Sequence, residues 1–256
     1  MIHPQAIIEP GAIIGENVTI GPWTHIAGNV VIGDDCHISS HVVINGPTTI
    51  GKGNRIFQFA SIGEDCQDLK YDGEPTELII GDNNMFRECC TIHRGTLQDN
   101  SLTKIGSNNL FMAYAHVAHD CMVGNHCIMA NNASIAGHVH VGDHVIIGGM
   151  SGVHQFCHIG SHSFVAANAL VLKDIPAYVM ASGHPAKPFG LNSEGLKRRG
   201  FASDKILSIK RAYKEVYRKK QSVEDALFAI SEQGESTPEL DLFTNSIKDS
   251  TRGIIR

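Results

Sequence analysis

Isoleucine recurs at every sixth residue from Ile2 to Ile62, through Ile8, Ile14, Ile20, Ile26, Ile32, Ile38, Ile44, Ile50 and Ile56, eleven positions without a miss. Two residues before these anchors the side chain is mostly small or β-branched, as in Ala6, Ala12, Val18, Thr24, Val30, Cys36, Val42 and Ala60, and glycine often follows directly, as at Gly15, Gly21, Gly33, Gly51 and Gly63. A β-branched anchor with a small inward partner describes a short strand that ends in a tight turn. Three such strands close a triangular coil of about 18 residues, stacked on the next at roughly 4.8 Å, which is the hexapeptide form of the parallel β-helix.

The period pauses across "EDCQDLKYDGEPTEL" (64–78), returns in phase as Ile80, Phe86 and Ile92, and slips by one across "GTLQDNSLTK" (95–104). It then runs through twelve apolar anchors: Ile105, Phe111, Val117, Val123, Met129, Ile135, Val141, Ile147, Val153, Ile159, Val165 and Val171. The two breaks therefore read as loops extruded from a regular solenoid of about nine or ten coils. Prisms of this kind wind left-handed, a hand that periodicity alone does not supply. The expected architecture is mainly β: a left-handed parallel β-helix over 1–188 with loops at 64–78 and 95–104, then a small α-helical domain over 189–256. In that tail Ser203 is expected to cap a helix carrying Ile206, Ile209, Tyr213, Val216 and Tyr217. Ser222 opens a second with Val223, Ala226, Leu227 and Ile230, and Thr237-Pro238 a third with Leu240, Phe243 and Ile247.

Charge divides the chain in the same way. Residues 1–190 hold 8 Lys/Arg against 16 Asp/Glu, and residues 191–256 hold 13 against 10. Within 197–220 ten basic residues face only Asp204 and Glu215, a patch that calls for an anionic partner. Nucleic acid is not expected, because the segment has no recognition motif and Phe201, Tyr213 and Tyr217 are placed for packing. No stretch approaches the roughly 18 apolar residues of a membrane span, and the N-terminus lacks a basic region followed by an apolar run. Seven cysteines with no CxxC pair argue against a disulfide framework and against a zinc knuckle. The expectation is a soluble cytoplasmic protein without membrane insertion.

The stretch "AHVAHDCMVGNHC" (115–127) mixes metal ligands with acid/base groups, and the period sorts them. Cys36, Cys90, Cys121, Cys127 and Cys157 all occupy the small inward slot and read as core. Cys66 falls in the first loop and Cys89 on a strand's outer side. His116, His119 and Asp120 face outward near a prism edge. His138 follows Asp120 by 18 residues, one coil away at about 5 Å, where a carboxylate would raise a histidine's pKa or fix its tautomer. His154 and Gln155 join this polar cluster. His126, His144 and His162 form another 18-residue column, whose parallel rings would not converge on an ion; surface or subunit contact is expected there. A neutral imidazole oriented by a carboxylate is a general base suited to neutral pH. Spacing alone leaves His119 open between that role and a solvated turn residue.

"CQDLKYDGEPT" (66–76), "TIHRGT" (91–96), "AHVAHDC" (115–121), "NNASIAGHV" (131–139), "GGMSGVHQF" (148–156), "EGLKRRGF" (194–201) and the final "STRGIIR" together resemble the UDP-N-acetylglucosamine O-acyltransferases that start lipid A synthesis. The resemblance covers essentially the whole chain. It implies transfer of an (R)-3-hydroxyacyl chain from the phosphopantetheine of acyl carrier protein to the sugar 3-hydroxyl. His119 would be the general base, Asp120 its orienting carboxylate and the Gly137 N–H the oxyanion donor. Asp68, with Gln67 and Lys70, would hold the sugar and the acyl hydroxyl. His93, His116, His138 and Gln155 would line the cleft, and Asn192, Glu194, Arg198 and Arg199 would meet nucleotide and phosphate. No metal or diffusible cofactor is implied. The partners would be acyl carrier protein, an acidic match for segment 197–220, UDP-N-acetylglucosamine, and two further copies in a homotrimer with clefts between prisms. Ala167 stands where the family often has Gly or Met at the floor of its acyl groove, and Pro185 where it usually has His. An acyl chain of intermediate length is the expectation.

Rival readings remain. The sister N-acyltransferase carries a separate N-terminal uridine-binding domain, whereas here the period starts at Ile2. A homologue that acylates a 3-amino sugar is not excluded by any residue. From other classes come a non-catalytic scaffold and a metal-dependent hydratase; the H-x4-H spacing of the prism-type carbonic anhydrases is absent.

Overall fold

A computed structural model describes residues 1–234 and 236–256. Its strands form three sheets of nine, eight and ten members, parallel except for one final hairpin, and wind into a left-handed β-helix. Each strand of two to four residues pairs with the equivalent strand of the next coil: Ile8 opposite Ile26, Ile14 opposite Ile32, Val117 opposite Ile135. The anchors from Ile20 to Ile62 are at most 2% exposed and stack, one column on each face, around one continuous core. In the first coil, which has a neighbour on one side only, the anchor Ile2 is exposed and Ile8 and Ile14 are half-buried.

Both loops fall where the period breaks. The first leaves the strand Ser61–Glu64 and returns at Glu77–Ile80; the second leaves Thr91–His93 and returns at Leu102–Ile105. Between strands the corners are made by residues in the left-handed backbone region. Twenty non-glycine residues among those described have φ between 56° and 69°, including Asp120, His138 and Phe156 along one edge and His126, His144 and His162 along another. An L-residue there is uncommon and mildly strained. Its side chain leaves the corner radially and meets the residue 18 positions on.

The small inward slot accounts for five buried cysteines, Cys36, Cys90, Cys121, Cys127 and Cys157, each at most 2% exposed. It also holds three buried asparagines that the isoleucine pattern does not disclose. Asn84 donates from its side chain to the Gly106 carbonyl (3.0 Å) and to Asn54 Oδ1 (3.0 Å), and accepts the Asn109 N–H (2.9 Å). Asn109 repeats the pattern by accepting the Cys127 N–H (2.6 Å). This ladder satisfies turn amides and carbonyls that the strands leave unpaired.

The ten-stranded sheet is closed by an antiparallel hairpin, Val179–Gly183 with Ala186–Leu191, so β structure runs three residues past position 188. Among the described residues four helices follow: α1 (Ser193–Arg198), α2 (Ser203–Arg218), α3 (Val223–Ser231) and α4 (Pro238–Lys248). Helix α1 was not expected. Its cap is Asn192, whose Oδ1 accepts the Gly195 N–H at 3.1 Å. Ser203 is the first residue of α2 rather than its cap, which is Ala202 without a side-chain bond; Phe201, packed edge-on against His162 and Tyr178, holds the chain just before it. Ser222 and Thr237 do cap α3 and α4. The tail is pinned to the last coil through buried Asp174, whose carboxylate accepts from the His158 N–H (2.8 Å) and the Ser250 hydroxyl (2.6 Å). No helix among the described residues is long and apolar enough to cross a membrane.

Replacing Asn84 by Ala strands the Asn109 N–H and the Gly106 carbonyl in the core. We expect a loss of about 2–3 kcal/mol in urea unfolding; a loss below about 0.5 kcal/mol would mean the ladder is not part of what holds the coils together.

Candidate active site

The nine-stranded face carries a cleft of about 460 Å³ lined by Gln67, Asp68, His93, His116, His119, Gly137, His154 and Gln155, with Ala118, Ile135, Val153 and Leu170 as its apolar floor. His116 occupies the outward strand position, and His93, Ala118, Ala136 and His154 come directly after the anchors on successive coils. Gln67 and Asp68 reach it on the first loop. That loop is tied down by Arg94, whose guanidinium meets Asp65, the Tyr71 hydroxyl and the Gly63 carbonyl while only 6% exposed.

At the cleft's edge the His119 ring, 14% exposed, bonds through Nδ1 to Asp120 Oδ2 at 2.8 Å. Asp120 points outward from its corner but is only 1% exposed, because the second loop lies over it. The Thr96 hydroxyl donates to Oδ2 (2.6 Å), the Thr96 N–H donates to Oδ1 (2.9 Å), and the Asp120 N–H donates to the Thr103 hydroxyl (2.8 Å). Burial pushes this carboxyl up, but the bonds from His119 and Thr96 outweigh it and hold its pKa below the ordinary value. An ionised Asp120 fixes the His119 proton on Nδ1 and leaves Nε2 as a lone-pair acceptor.

Gly137 lies under the His119 ring. A Cβ there would stand 2.4 Å from Cε1 and 2.5 Å from Nε2, so the ring can occupy its place only over a glycine. No hydrogen bond among the described residues uses the Gly137 N–H. It is therefore free beside the imidazole.

The other histidines divide. His93, 3% exposed, meets His116 edge-on at 5.0 Å, and His116 Nδ1 bonds the Thr91 hydroxyl at 2.7 Å. Burial and the neighbouring His116 push His93 down to about 4, and burial with His119 lowers His116. His138 stands edge-on to His119 at 5.0 Å and stacked on Phe156 at 4.4 Å, behind the cleft wall rather than in it. Its Nδ1 lies 3.9 Å from Asp120 but 3.0 Å from Asp99, a partner the sequence did not suggest. The atoms of His119, Asp120 and His138 lie close enough to hold a cation, but Asp120 Oδ2 already accepts hydrogen bonds from His119 Nδ1–H and the Thr96 hydroxyl.

Residues assigned to the nucleotide are on a different edge. His126, His144 and His162 stack with centroids 4.7 and 4.8 Å apart and near-parallel rings, so they do not converge on an ion. Against that column Arg199 donates to the His144 carbonyl (3.0 Å) and Asn192 to the His162 carbonyl (2.8 Å). Asn192 is thus largely committed to structure. Arg198 is exposed, as is Glu194, which pairs with Lys197 at 2.8 Å. Lys70, Ala167 and Pro185 are exposed outside the cleft lining. One chain therefore brings together Gln67, Asp68, His93, His116, His119, Asp120, Gly137 and Gln155, and leaves Asn192, Glu194, Arg198 and Arg199 apart. Thr96, Thr103 and Asp99 were missed; their one sequence signal was the slip in period at 95–104. His154 was seen in the cluster but given no role.

A hexapeptide prism with a carboxylate-oriented histidine on the wall of an open cleft is the build of a hexapeptide-repeat transferase. The sequence matches the bacterial transferase hexapeptide repeat at residues 11–46 and 102–137, and the second domain of UDP-N-acetylglucosamine O-acyltransferase at residues 174–255. The chain belongs to the UDP-N-acetylglucosamine O-acyltransferase family. It is 53% identical, over its whole length and 99% of the relative's, to the acyl-[acyl-carrier-protein]–UDP-N-acetylglucosamine O-acyltransferase of Stutzerimonas stutzeri, and 52% identical to that of Pseudomonas aeruginosa over the same shares. Among solved structures it superposes with a TM-score of 0.97 on LpxA from Acinetobacter baumannii (53% identity; 100% of this chain, 99% of that one) and 0.98 on LpxA from Bacteroides fragilis (42%; 100% of both).

Replacing Gly137 by Ala should displace the His119 ring and lower kcat by about 10² without lowering the unfolding midpoint; kcat within threefold would show that the ring does not need its present place. Acid should also weaken the fold. His93 and His162 resist protonation to about 4, His162 through burial with His144 and Arg199, whereas both would titrate near 6.5 when unfolded. Stability from these two is full above pH ~6.5 and is lost as pH falls towards ~4. The urea midpoint should decline across that window, and less steeply for His162→Gln.

Proposed function

We propose that this chain moves an (R)-3-hydroxyacyl group from the phosphopantetheine thioester of acyl carrier protein to the 3-hydroxyl of UDP-N-acetylglucosamine, opening lipid A synthesis in the cytoplasm. The single observation that carries the mechanism is the 2.8 Å His119 Nδ1–Asp120 bond at the cleft wall. With the Nδ1–H hydrogen-bonded to the Asp120 carboxylate, Nε2 takes the proton of the sugar hydroxyl as its oxygen attacks the thioester carbonyl. The tetrahedral oxyanion accepts the Gly137 N–H. Collapse breaks the C–S bond, and the protonated imidazole returns its proton to the departing thiolate, so His119 ends as it began. Asp120 is held ionised throughout by Thr96 and stabilises the transient imidazolium.

Asp68 and Gln67, on the loop anchored by Arg94, face the same cleft and suit the hydroxyls of the sugar and of the acyl chain; Lys70 flanks them. His93, held neutral, and His116 offer hydrogen bonds without adding charge. The cleft lining includes Asp68 but no Lys or Arg among the described residues, a poor match for a diphosphate. We therefore assign Arg198, Arg199, Asn192 and Glu194 to the site of a neighbouring copy in a homotrimer, with the basic segment 197–220 receiving acyl carrier protein. Ala167, at the corner beside Gly148, and Pro185, in the terminal hairpin turn, would set acyl length.

Purified protein and His119→Ala, each given UDP-N-acetylglucosamine and a panel of 3-hydroxyacyl carrier proteins, test this reading. The wild type should yield one ester product whose mass fixes the chain length, and the variant should lose at least 10²-fold while remaining folded. No product from the wild type with any donor would overturn the substrate assignment, and robust turnover by His119→Ala would overturn the base.

A further inference from the structure

The second loop does more than cover Asp120. It turns back on itself through the Ser101 N–H and the Thr96 carbonyl (3.0 Å), and this brings the Asp99 carboxylate to His138 Nδ1 at 3.0 Å. The competing acceptor for that nitrogen is Asp120 Oδ2, 3.9 Å away. That oxygen already receives His119 Nδ1 and the Thr96 hydroxyl, and a third donor would have to displace one of them. His138 cannot withdraw, because its ring is clamped between Phe156, stacked at 4.4 Å, and the edge of His119 at 5.0 Å.

We propose that Asp99 is a positioning residue that keeps the His138 proton on Nδ1 and directed away from Asp120, reserving Asp120 for the base His119. Two imidazoles meeting edge to face are thereby shared between two carboxylates, one each. Without Asp99, the nearest acceptor left to His138 Nδ1 is the oxygen that orients His119. The His119 Nδ1 bond then loosens, and with it the aim of Nε2 into the cleft. Asp99 is a third exposed and lies outside the cleft lining, so its influence on the reaction passes through His138. This inference rests on the acyl-transfer reading for its kinetic consequence, but not for its structural one.

Two measurements on Asp99→Ala and Asp99→Asn keep those apart. With ring-15N-labelled histidine, the His138 signals, assigned by their loss in His138→Gln, should show the Nδ1–H tautomer in the wild type. In Asp99→Ala they should move towards the Nε2–H pattern, or the His119 signals should shift as His138 engages Asp120. Asp99→Asn, whose amide oxygen can still accept, should stay near the wild type. In acyl transfer, kcat of Asp99→Ala should fall about tenfold with KM for both substrates within twofold and an unchanged unfolding midpoint, and Asp99→Asn should recover most of it. Unchanged histidine signals in Asp99→Ala overturn the proposal whatever the activity. So does a kcat within twofold of wild type, or a loss expressed in KM. A wild type that shows the expected tautomer but transfers no acyl group refutes the substrate assignment instead.

Discussion

In-register stacking of 18-residue coils is the constraint on which everything else in this molecule depends. Because each strand of the coils before the closing hairpin is only two to four residues long, none could persist alone; each gains its hydrogen bonds from the neighbouring coils. The inward anchors then have no freedom of register, since a slip of one residue would turn a column of isoleucine out to water and bring polar side chains into the core. The ends show the limit of the rule. The anchors Ile8 and Ile14 are only half-buried where the first coil has a neighbour on one side only, and the other end is covered by the hairpin and by the tail pinned on Asp174.

A scaffold this rigid converts sequence spacing into side-chain geometry. Corner residues 18 apart stand over one another, so Asp120, His138 and Phe156 form one column while His126, His144 and His162 form another. The same device gives opposite outcomes. On the second column nothing lies between the rings, and they stack. On the first a loop intrudes, supplying Thr96 and Asp99, and the rings of His119 and His138 turn edge to face with a carboxylate each. The chemistry is concentrated where the repeat is broken rather than where it is kept, as expected of a site that needs groups a repeat cannot deliver.

This explains what could be read beforehand. The prism, its loops, the core role of the five slot cysteines and the outward placement of His116, His119 and Asp120 all follow from counting sixes, because inward and outward positions are fixed by period alone. The roles of Gly137, Asp68 and the arginines of 198–199 came from resemblance and not from counting. The Thr96–Asp120 and Asp99–His138 bonds were illegible, since a thirteen-residue step between Ile92 and Ile105 says that a loop exists but not which way it folds. The buried Asn54, Asn84 and Asn109 were hidden for another reason: the anchors catch the eye, while the slot two residues earlier accepts any side chain that is small or can pair its polar atoms inside.

Electrostatics ties the two halves of the molecule together. The prism is acidic and the tail basic, and the cleft holds an ionised Asp120 whose charge the hydrogen bonds from Thr96 protect. A nucleoside diphosphate entering such a cleft would meet carboxylates and neutral histidines on this wall alone, an unfavourable encounter without compensating cations. Those cations exist in the chain at Arg198, which is exposed, and at Arg199, but one corner away, where Arg199 donates to the His144 carbonyl. A second prism packed alongside would bring such an edge opposite such a face. The proposed partner copy thus has a reason in charge, independent of any need to bury apolar surface.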